Sequence, residues 1–331
     1  MKLHFYGADR CVTGSCHCLE INGKKILVDC GLQQGRDELD NRYLAFAPGN
    51  IDILLVTHAH IDHTGRIPLL VKNGFHGRIL TTRLTADLMK IMLLDSAHIQ
   101  ESDAEYENRK GERAGREHVE PLYTEQDALD VFKYVTTCEY EETVELCEGV
   151  SAVFTDAGHL LGSASITLEL EENGVHKTIV FSGDIGNKNK PLIKNPQYTD
   201  EADYVVMEST YGDRSHGEKP DYVQLLASII QETFDRGGSL IIPSFAVGRT
   251  QEMLYFIRQI KAEGRIKGHE NFPVFVDSPL ASKSTTIFRE NFAECYDDEA
   301  LALVQSGRNP LQFPGLHVSE TKEESMAING D

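Results

Sequence analysis

The feature that most limits what this chain can become is the stretch Ile53-Leu54-Leu55-Val56-Thr57-His58-Ala59-His60-Ile61-Asp62-His63-Thr64-Gly65. An apolar, β-branched run reads as a buried strand, and three histidines and a carboxylate follow it where a helix should begin. On an extended strand end, side chains two apart point the same way, so His58 and His60 converge on one point. Asp62 and His63 follow where the chain turns into the next helix, and they can face a neighbouring point. The spacing predicts two metal ions. Imidazole and carboxylate donors without thiolate suit zinc ahead of manganese or iron. A chance histidine cluster on a surface loop would have no use for the strand that delivers it.

With 331 residues the chain exceeds the usual single domain, so two domains, or one with a large insertion, are expected. Its 32 basic and 52 acidic residues give a formal net charge of -20, which argues against non-specific adhesion to nucleic acid or to anionic membranes. A local basic groove remains compatible with that balance. The start Met1-Lys2-Leu3-His4-Phe5 lacks the apolar stretch of a signal peptide, and no run approaches membrane-spanning length. A cytoplasmic protein without a membrane partner is expected, in keeping with seven cysteines that form no disulfide-like pattern. Cys11, Cys16, His17 and Cys18 lie close together, but with no matching cluster downstream they read as small buried or turn residues rather than as a zinc site.

Strand signals cover Lys2 to Tyr6, Ser15 to Ile21 and Lys25 to Gly31, the last placing Asp29 at a strand end before glycine. Asp29 there can cap the turn or orient a metal ligand from behind. Gln33 to Asn41 reads as a polar loop near the site. Ile67 to Asn73 looks helical, Arg78 to Thr82 a short strand, and Leu84 to about Glu105 an amphipathic helix running into a mixed charge run. A further helix is expected over Glu125 to Tyr134.

Two later strand ends carry single candidates. Thr155-Asp156-Ala157-Gly158-His159-Leu160-Leu161-Gly162 holds His159 between glycines, which allow close approach to a metal without a clash. The strand Thr178 to Phe181 ends in Ser182-Gly183-Asp184-Ile185-Gly186, where one carboxylate could bridge two ions through its two oxygens.

Taken in order, Asp29, His58, His60, Asp62, His63, His159 and Asp184 resemble the motifs of the metallo-β-lactamase fold, a four-layer αββα sandwich with a dinuclear zinc site at one edge of its sheets. The resemblance implies that His58, His60 and His159 hold one zinc, that Asp62 and His63 hold the other, and that Asp184 bridges them. Tyr204-Val205-Val206-Met207-Glu208-Ser209-Thr210-Tyr211-Gly212 then reads as a buried strand ending in an acidic residue, and it resembles the first signature of the β-CASP nucleases, relatives of the mRNA 3′-end cleavage endonuclease and the J-type ribonucleases. Ser239 to Glu252 runs strand, glycine turn, helix, and such a helix start plus an arginine can receive an anion. It resembles the β-CASP loop that contacts the nucleic-acid backbone, making Ser244, Arg249 and Thr250 candidates for phosphate binding. Phe272 to Val276 and the helix opened by Asp277-Ser278-Pro279 complete an α/β layer. The expected domains are 1–208, the metallo-β-lactamase domain, and 209–331, a partial β-CASP domain.

Family members continue past the equivalent of Ser325 with two further histidine motifs, one pairing with the motif glutamate and one completing the second zinc site. His317 stands in the wrong context to replace either, so a fragment of a longer protein is expected, with a second site reduced to Asp62, His63 and Asp184. The implied activity is zinc-dependent hydrolysis of RNA by metal-activated hydroxide, with Asp62, Asp184 and Glu208 as candidate catalytic residues. Single-stranded RNA is the expected partner, and a second copy of the chain is a candidate one. A thioesterase or lactonase would use the same zinc site but leaves Glu208 to Ala281 unexplained. A flavin-coupled diiron oxidoreductase would replace His60 by an acidic residue. A non-catalytic RNA-processing scaffold would lose ligands, whereas every ligand position this chain reaches is filled.

Overall fold

A computed structural model describes residues 1–35, 41–112, 115–215, 217 and 220–328. It divides into two compact units, one of Met1–Asn187 with Pro196–Thr210, the other of Lys188–Asn195 with Tyr211–Asp331.

The first unit is built on two sheets. β1 (Lys2–Gly7), β2 (Cys16–Ile21), β3 (Lys24–Val28), β4 (Ile53–Leu55), β5 (Arg78–Thr82) and β6 (Val135–Cys138) pair in that order. The first pairings are antiparallel, and β3 to β6 run parallel. Between these strands lie α1 (Ile61–Thr64), α2 (Ile67–Lys72), α3 (Arg83–Glu112) and α4 (Glu125–Asp130). The second sheet follows, from β7 (Val144–Cys147), β8 (Val150–Asp156), β9 (Ala164–Glu172), β10 (Val175–Phe181) and β11 (Tyr204–Val206), in the order β11-β10-β9-β8-β7.

Side-chain alternation decides how the sheets meet. Ile26 and Val28 of β3, Ile53 and Leu55 of β4, and Leu80 of β5 pack with Phe154 of β8, Ile166, Leu168 and Leu170 of β9, and Phe181 of β10 in one apolar core. Leu27, Leu54 and Ile79 point the other way and are equally buried, so the central parallel strands are covered on both faces. On that side α3 contributes buried Leu84, Leu88, Met89 and Leu93. The paired sheets, with α3 packed outside the first of them, are the metallo-β-lactamase fold that the motifs implied. The αβ interleaving is what brings His58, His159 and Asp184 to neighbouring strand ends.

The second unit holds α5 (Tyr222–Asp235), α6 (Arg249–Ala262), β12 (Val274–Asp277), α7 (Pro279–Glu290), α8 (Phe292–Cys295), α9 (Asp298–Gln305), β13 (Leu316–Ser319) and α10 (Lys322–Ile328), with β12 and β13 parallel. Gln251 is fully buried and donates to Ala246 O, Ser284 Oγ and Thr285 Oγ1, joining α6 to α7. Among the described residues no helix is long and apolar enough to cross a membrane.

Three expectations need correction. Ser239 to Pro243 is not a strand; it pairs with no ladder among the described residues, and Ile241 is 85% exposed. Tyr204 to Val206 is a strand but not a buried one, because β11 is an edge strand with Tyr204 58% and Val205 59% exposed. Apolar content announces a wish for burial, but the neighbour that grants it is set by tertiary pairing. Glu125 to Tyr134 is helical in two pieces, α4 and a 3-10 turn over Val131–Lys133. Of the polar loop over Gln33 to Asn41, residues 36–40 lie outside the described residues; its ends are tied by Gln33 N to Asn41 Oδ1 and Asn41 Nδ2 to Gln33 O.

Candidate metal centre

The site is assembled from four strand ends. β4 ends at Leu55, and the chain then runs extended into His58, whose ring is fully buried, before α1 starts behind His60. The loop after β3 and the residue that leads into β2 clamp α1 in place: Leu32 N and Cys30 N from the loop, and Ser15 N ahead of β2, donate to the carbonyls of Ile61, His63 and Asp62 at 2.9, 2.8 and 2.9 Å. This needs a glycine at Gly31, where a Cβ would lie 1.6 Å from Asp62 O. Arg66, buried, donates through Nε to Gly31 O at 2.6 Å and fixes the loop from the other side.

His159 sits on the β8–β9 loop. Ser163 Oγ accepts from both His159 N and Leu160 N at 3.1 Å, and Gly158 and Gly162 adopt the positive φ that this tight loop requires. The β10 loop carries Asp184 beside it. Gly186 N donates to Ala157 O at 2.8 Å, and a Cβ on Gly186 would meet Gly158 O at 1.7 Å.

These loops bring His58, His60, His159 and Asp184 together as one group of donor atoms, all within 4.8 Å of one another. His60 Nδ1 lies 3.1 Å from His58 Nε2 and 3.2 Å from His159 Nε2. Asp184 Oδ2 is 3.7 Å from His58 Nε2 and 3.6 Å from His159 Nε2. Two imidazole nitrogens on a tetrahedral zinc, at the usual bond length, are separated by roughly 3.3 Å, so the donor set fits such an ion in type and spacing. The other carboxylate oxygen turns away: Asp184 Oδ1 is 3.3 Å from His63 Nε2, and Asp62 Oδ2 is 3.8 Å from the same nitrogen. Asp62, His63 and Asp184 thus form an adjoining cluster that shares Asp184 with the first.

Behind both clusters stands Asp29, 1% exposed, with φ +58. Its Oδ2 is 2.7 Å from His63 Nδ1, and its carboxylate also accepts from Thr57 N at 2.9 Å, Thr57 Oγ1 at 2.9 Å and Ser15 Oγ at 3.3 Å. With its proton directed to Asp29, Thr57 Oγ1 can accept from His58 Nδ1 at 3.1 Å. One buried carboxylate thereby sets His63 directly and His58 through a hydroxyl, aiming both Nε2 atoms forward.

The charges follow the same division. Burial, reinforced by His63, His60 and His159, pushes His58 well below the usual imidazole range and keeps it neutral, as a metal ligand must be. At His63 burial works in that direction too, but the Asp29 charge and the hydrogen bonds of Asp184 and Asp29 outweigh it and hold the imidazolium well above its ordinary value. Burial raises Asp62, against the pull of His63 and His60. For Asp184 burial is overcome by the hydrogen bond and charge of His63, so its carboxyl titrates low.

Glu208 lies just past β11, with Oε1 accepting from Ile185 N at 2.8 Å and Oε2 from Thr210 Oγ1 at 2.9 Å. In the second unit Gly248, at φ +86, turns the chain into α6. There Thr250 Oγ1 donates to Phe245 O at 2.8 Å, Arg249 is exposed and pairs with Glu252, and Ser244 is exposed. Cys16 and Cys18 are buried β2 residues and Cys11 is exposed, and none belongs to a metal-holding group among the described residues. Sequence reasoning passed over Thr57, Ser15, Gly31 and Arg66. Thr57 was detectable as the one hydroxyl in an apolar run, since a buried hydroxyl needs a partner; the other three depend on contacts between distant segments.

Comparison with known proteins agrees with this layout. The profile of the metallo-beta-lactamase superfamily matches residues 9–204, and that of the Beta-Casp domain residues 250–331. A ribonuclease of Thermus thermophilus is 34% identical over 99% of this chain and 70% of its own length. The transcription termination factor FttA of Methanosarcina mazei is 30% identical over 90% of this chain, and the endoribonuclease YSH1 of Yarrowia lipolytica 29% identical over 93%. The chain spans 45% and 35% of those two relatives' lengths. With a superfamily profile over more than half of its residues and a second one in the remainder, this chain belongs to the metallo-β-lactamase superfamily, in its β-CASP branch.

Proposed function

We propose that this chain is a zinc-dependent ribonuclease that hydrolyses RNA phosphodiester bonds at a two-metal site. The observation that carries it is the division of Asp184, with Oδ2 toward His58 and His159 and Oδ1 toward His63. His58, His60 and His159 would hold one ion, Asp62 and His63 the other, with Asp184 between them. When bound, the metal pair supplies Lewis acidity and a water of lowered pKa. The chain's own residues do the rest. Asp29 and Thr57 orient the imidazoles, and Asp62 holds the attacking water by a hydrogen bond. Arg249, with Thr250 and Ser244, binds the RNA backbone, a mode that suits a single strand.

RNA as substrate is supported by the relatives, two of which are named as ribonucleases and the third as a transcription termination factor. The division into a metal-binding domain, 1–208, and a partial β-CASP domain, 209–331, is supported by two compact units that part near Thr210. The deciding experiment pairs metal analysis of the purified chain with incubation against a labelled RNA, a thioester and a lactone. Zinc at the first cluster with slow RNA cleavage is the expected result; rapid thioester or lactone turnover with intact RNA would sink the nuclease reading.

A further inference from the structure

Glu208 entered as a candidate for proton transfer, yet its bonds describe a different task. β10 and β11 run parallel in register, Phe181 opposite Val206, and Ser182 N extends the ladder by donating to Val206 O at 2.9 Å. Beyond that bond the two chains separate, one into Gly183-Asp184-Ile185, the other into Met207-Glu208-Ser209. Glu208 ties them back together at two points and is itself held at a third by its own segment. Its N donates to Ser182 Oγ at 3.1 Å, its Oε1 accepts from Ile185 N at 2.8 Å, and its Oε2 accepts from Thr210 Oγ1 at 2.9 Å. Two of these bonds fall on the residues either side of the Gly183-Asp184 pair.

The rest of that loop is held sterically. A Cβ on Gly183, which has φ +53, would lie 2.8 Å from Thr57 Cβ, so the loop passes directly against the strand that delivers His58. Ser165 Oγ donates to Ser182 O at 3.0 Å, and Gly186 N is bonded to Ala157 O beside the His159 loop. The Asp184 carboxylate is the part of this loop left to face the histidines. Its setting between His63 and the His58–His159 pair depends on where Ile185 N is held, and Glu208 is the side chain that holds it.

We propose that Glu208 is a positioning residue, acting through Ile185 and Ser182 to fix the Asp184 carboxylate between the two ligand clusters, with Thr210 orienting Glu208 in turn. The role rests on reading the histidine–aspartate cluster as a metal site. It requires reach rather than charge: an acceptor at the distance of Oε1 serves, whether carboxylate or amide oxygen. A proton-transfer role requires the reverse.

Two substitutions separate these requirements. Glu208→Gln keeps the reach and loses the titratable group, while Glu208→Asp keeps the carboxylate and falls short of Ile185 N. Cobalt(II) titration of the 331-residue chain, followed by its visible d–d absorption, reads the coordination directly. Glu208→Gln should bind within about three-fold of the parent with the parent spectrum, and Glu208→Asp and Glu208→Ala should bind at least about ten-fold more weakly with an altered band. Thermal melts followed by circular dichroism establish that each variant is folded; should Glu208→Ala fail to fold, the Gln and Asp pair decides. Parent-like cobalt binding by Glu208→Asp, or loss of binding by Glu208→Gln, overturns the proposal. A parent chain that binds no cobalt overturns the metal reading and this proposal with it, an outcome distinct from either variant result.

Discussion

Asp29 Oδ2 and His63 Nδ1 are 2.7 Å apart, and through this contact a residue from the end of β3 fixes an imidazole on α1. The same carboxylate reaches His58 through Thr57, so its removal should be felt in both clusters. Asp29→Asn is the informative change, because asparagine tolerates the left-handed φ that Asp29 adopts and preserves its volume. The amide cannot accept at both former oxygens, and it leaves His63 Nδ1 without its charged partner. Metal affinity should fall by about 10- to 100-fold with the fold retained. Competition against a chromogenic chelator measures this, and unaltered affinity would remove Asp29 from the site.

Gly186 gives a second prediction, about backbone rather than charge. A Cβ there would stand 1.7 Å from Gly158 O, so Gly186→Ala must push the Asp184 loop away from the His159 loop. The expected cost is about 1–3 kcal/mol of stability, as in other overpacked sites, together with weakened metal binding. Gly174 provides the control. It has φ +75 in the β9–β10 turn and nothing within 4 Å of an added Cβ, so Gly174→Ala should cost about 1 kcal/mol and leave metal binding alone. Equal effects on metal binding from the two variants would refute the account of the loop contact.

The difference between these residues and the histidines also marks what could be read in advance. His58, His60, Asp62 and His63 announce themselves because a local rule, two-residue alternation at a strand end followed by a helix start, suffices to aim them. His159 and Asp184 are single residues, and they gain meaning from chain order and glycine neighbours. Gly31 and Gly186 carry no local sign of their purpose, since the atoms that exclude a Cβ, Asp62 O and Gly158 O, lie on other segments. The same blindness to pairing produced the misplaced strand at Ser239 to Pro243 and the wrong burial of Tyr204. Asp29 was legible as a residue that caps the turn or orients a metal ligand from behind, but the four hydrogen-bond donors it receives from Ser15, Thr57 and His63 were not.

Arg249 tests the RNA-binding side of the proposal. Its guanidinium is exposed and engaged with Glu252, beside the Gly248 turn at the start of α6. Arg249→Ala should weaken RNA binding uniformly across sequences and reduce the slope of log affinity against log salt by about 1, the signature of one lost phosphate contact. Electrophoretic mobility shifts over a salt series read that slope. An unchanged slope would confine Arg249 to its ion pair with Glu252 and leave it out of RNA binding.

Asp62 separates an enzyme from a metal-binding scaffold. Its carboxylate is 3.8 Å from His63 Nε2 and faces the cluster from α1, while its backbone carbonyl is held independently by Ser15 N. Asp62→Asn therefore alters the group proposed to hold the attacking water and leaves the clamp on α1 intact. His58, His60, His159 and Asp184 do not depend on it, so metal at the first cluster should persist, whereas His58→Ala combined with His60→Ala should abolish it. If the chain is a hydrolase, cleavage of a labelled RNA by Asp62→Asn should fall by about 10²- to 10⁴-fold, the range for loss of a positioned proton-accepting group, with RNA affinity unchanged. A scaffold would show no cleavage to lose: RNA bound by the parent and by Asp62→Asn alike, with neither cutting it, would assign the site a structural use of metal.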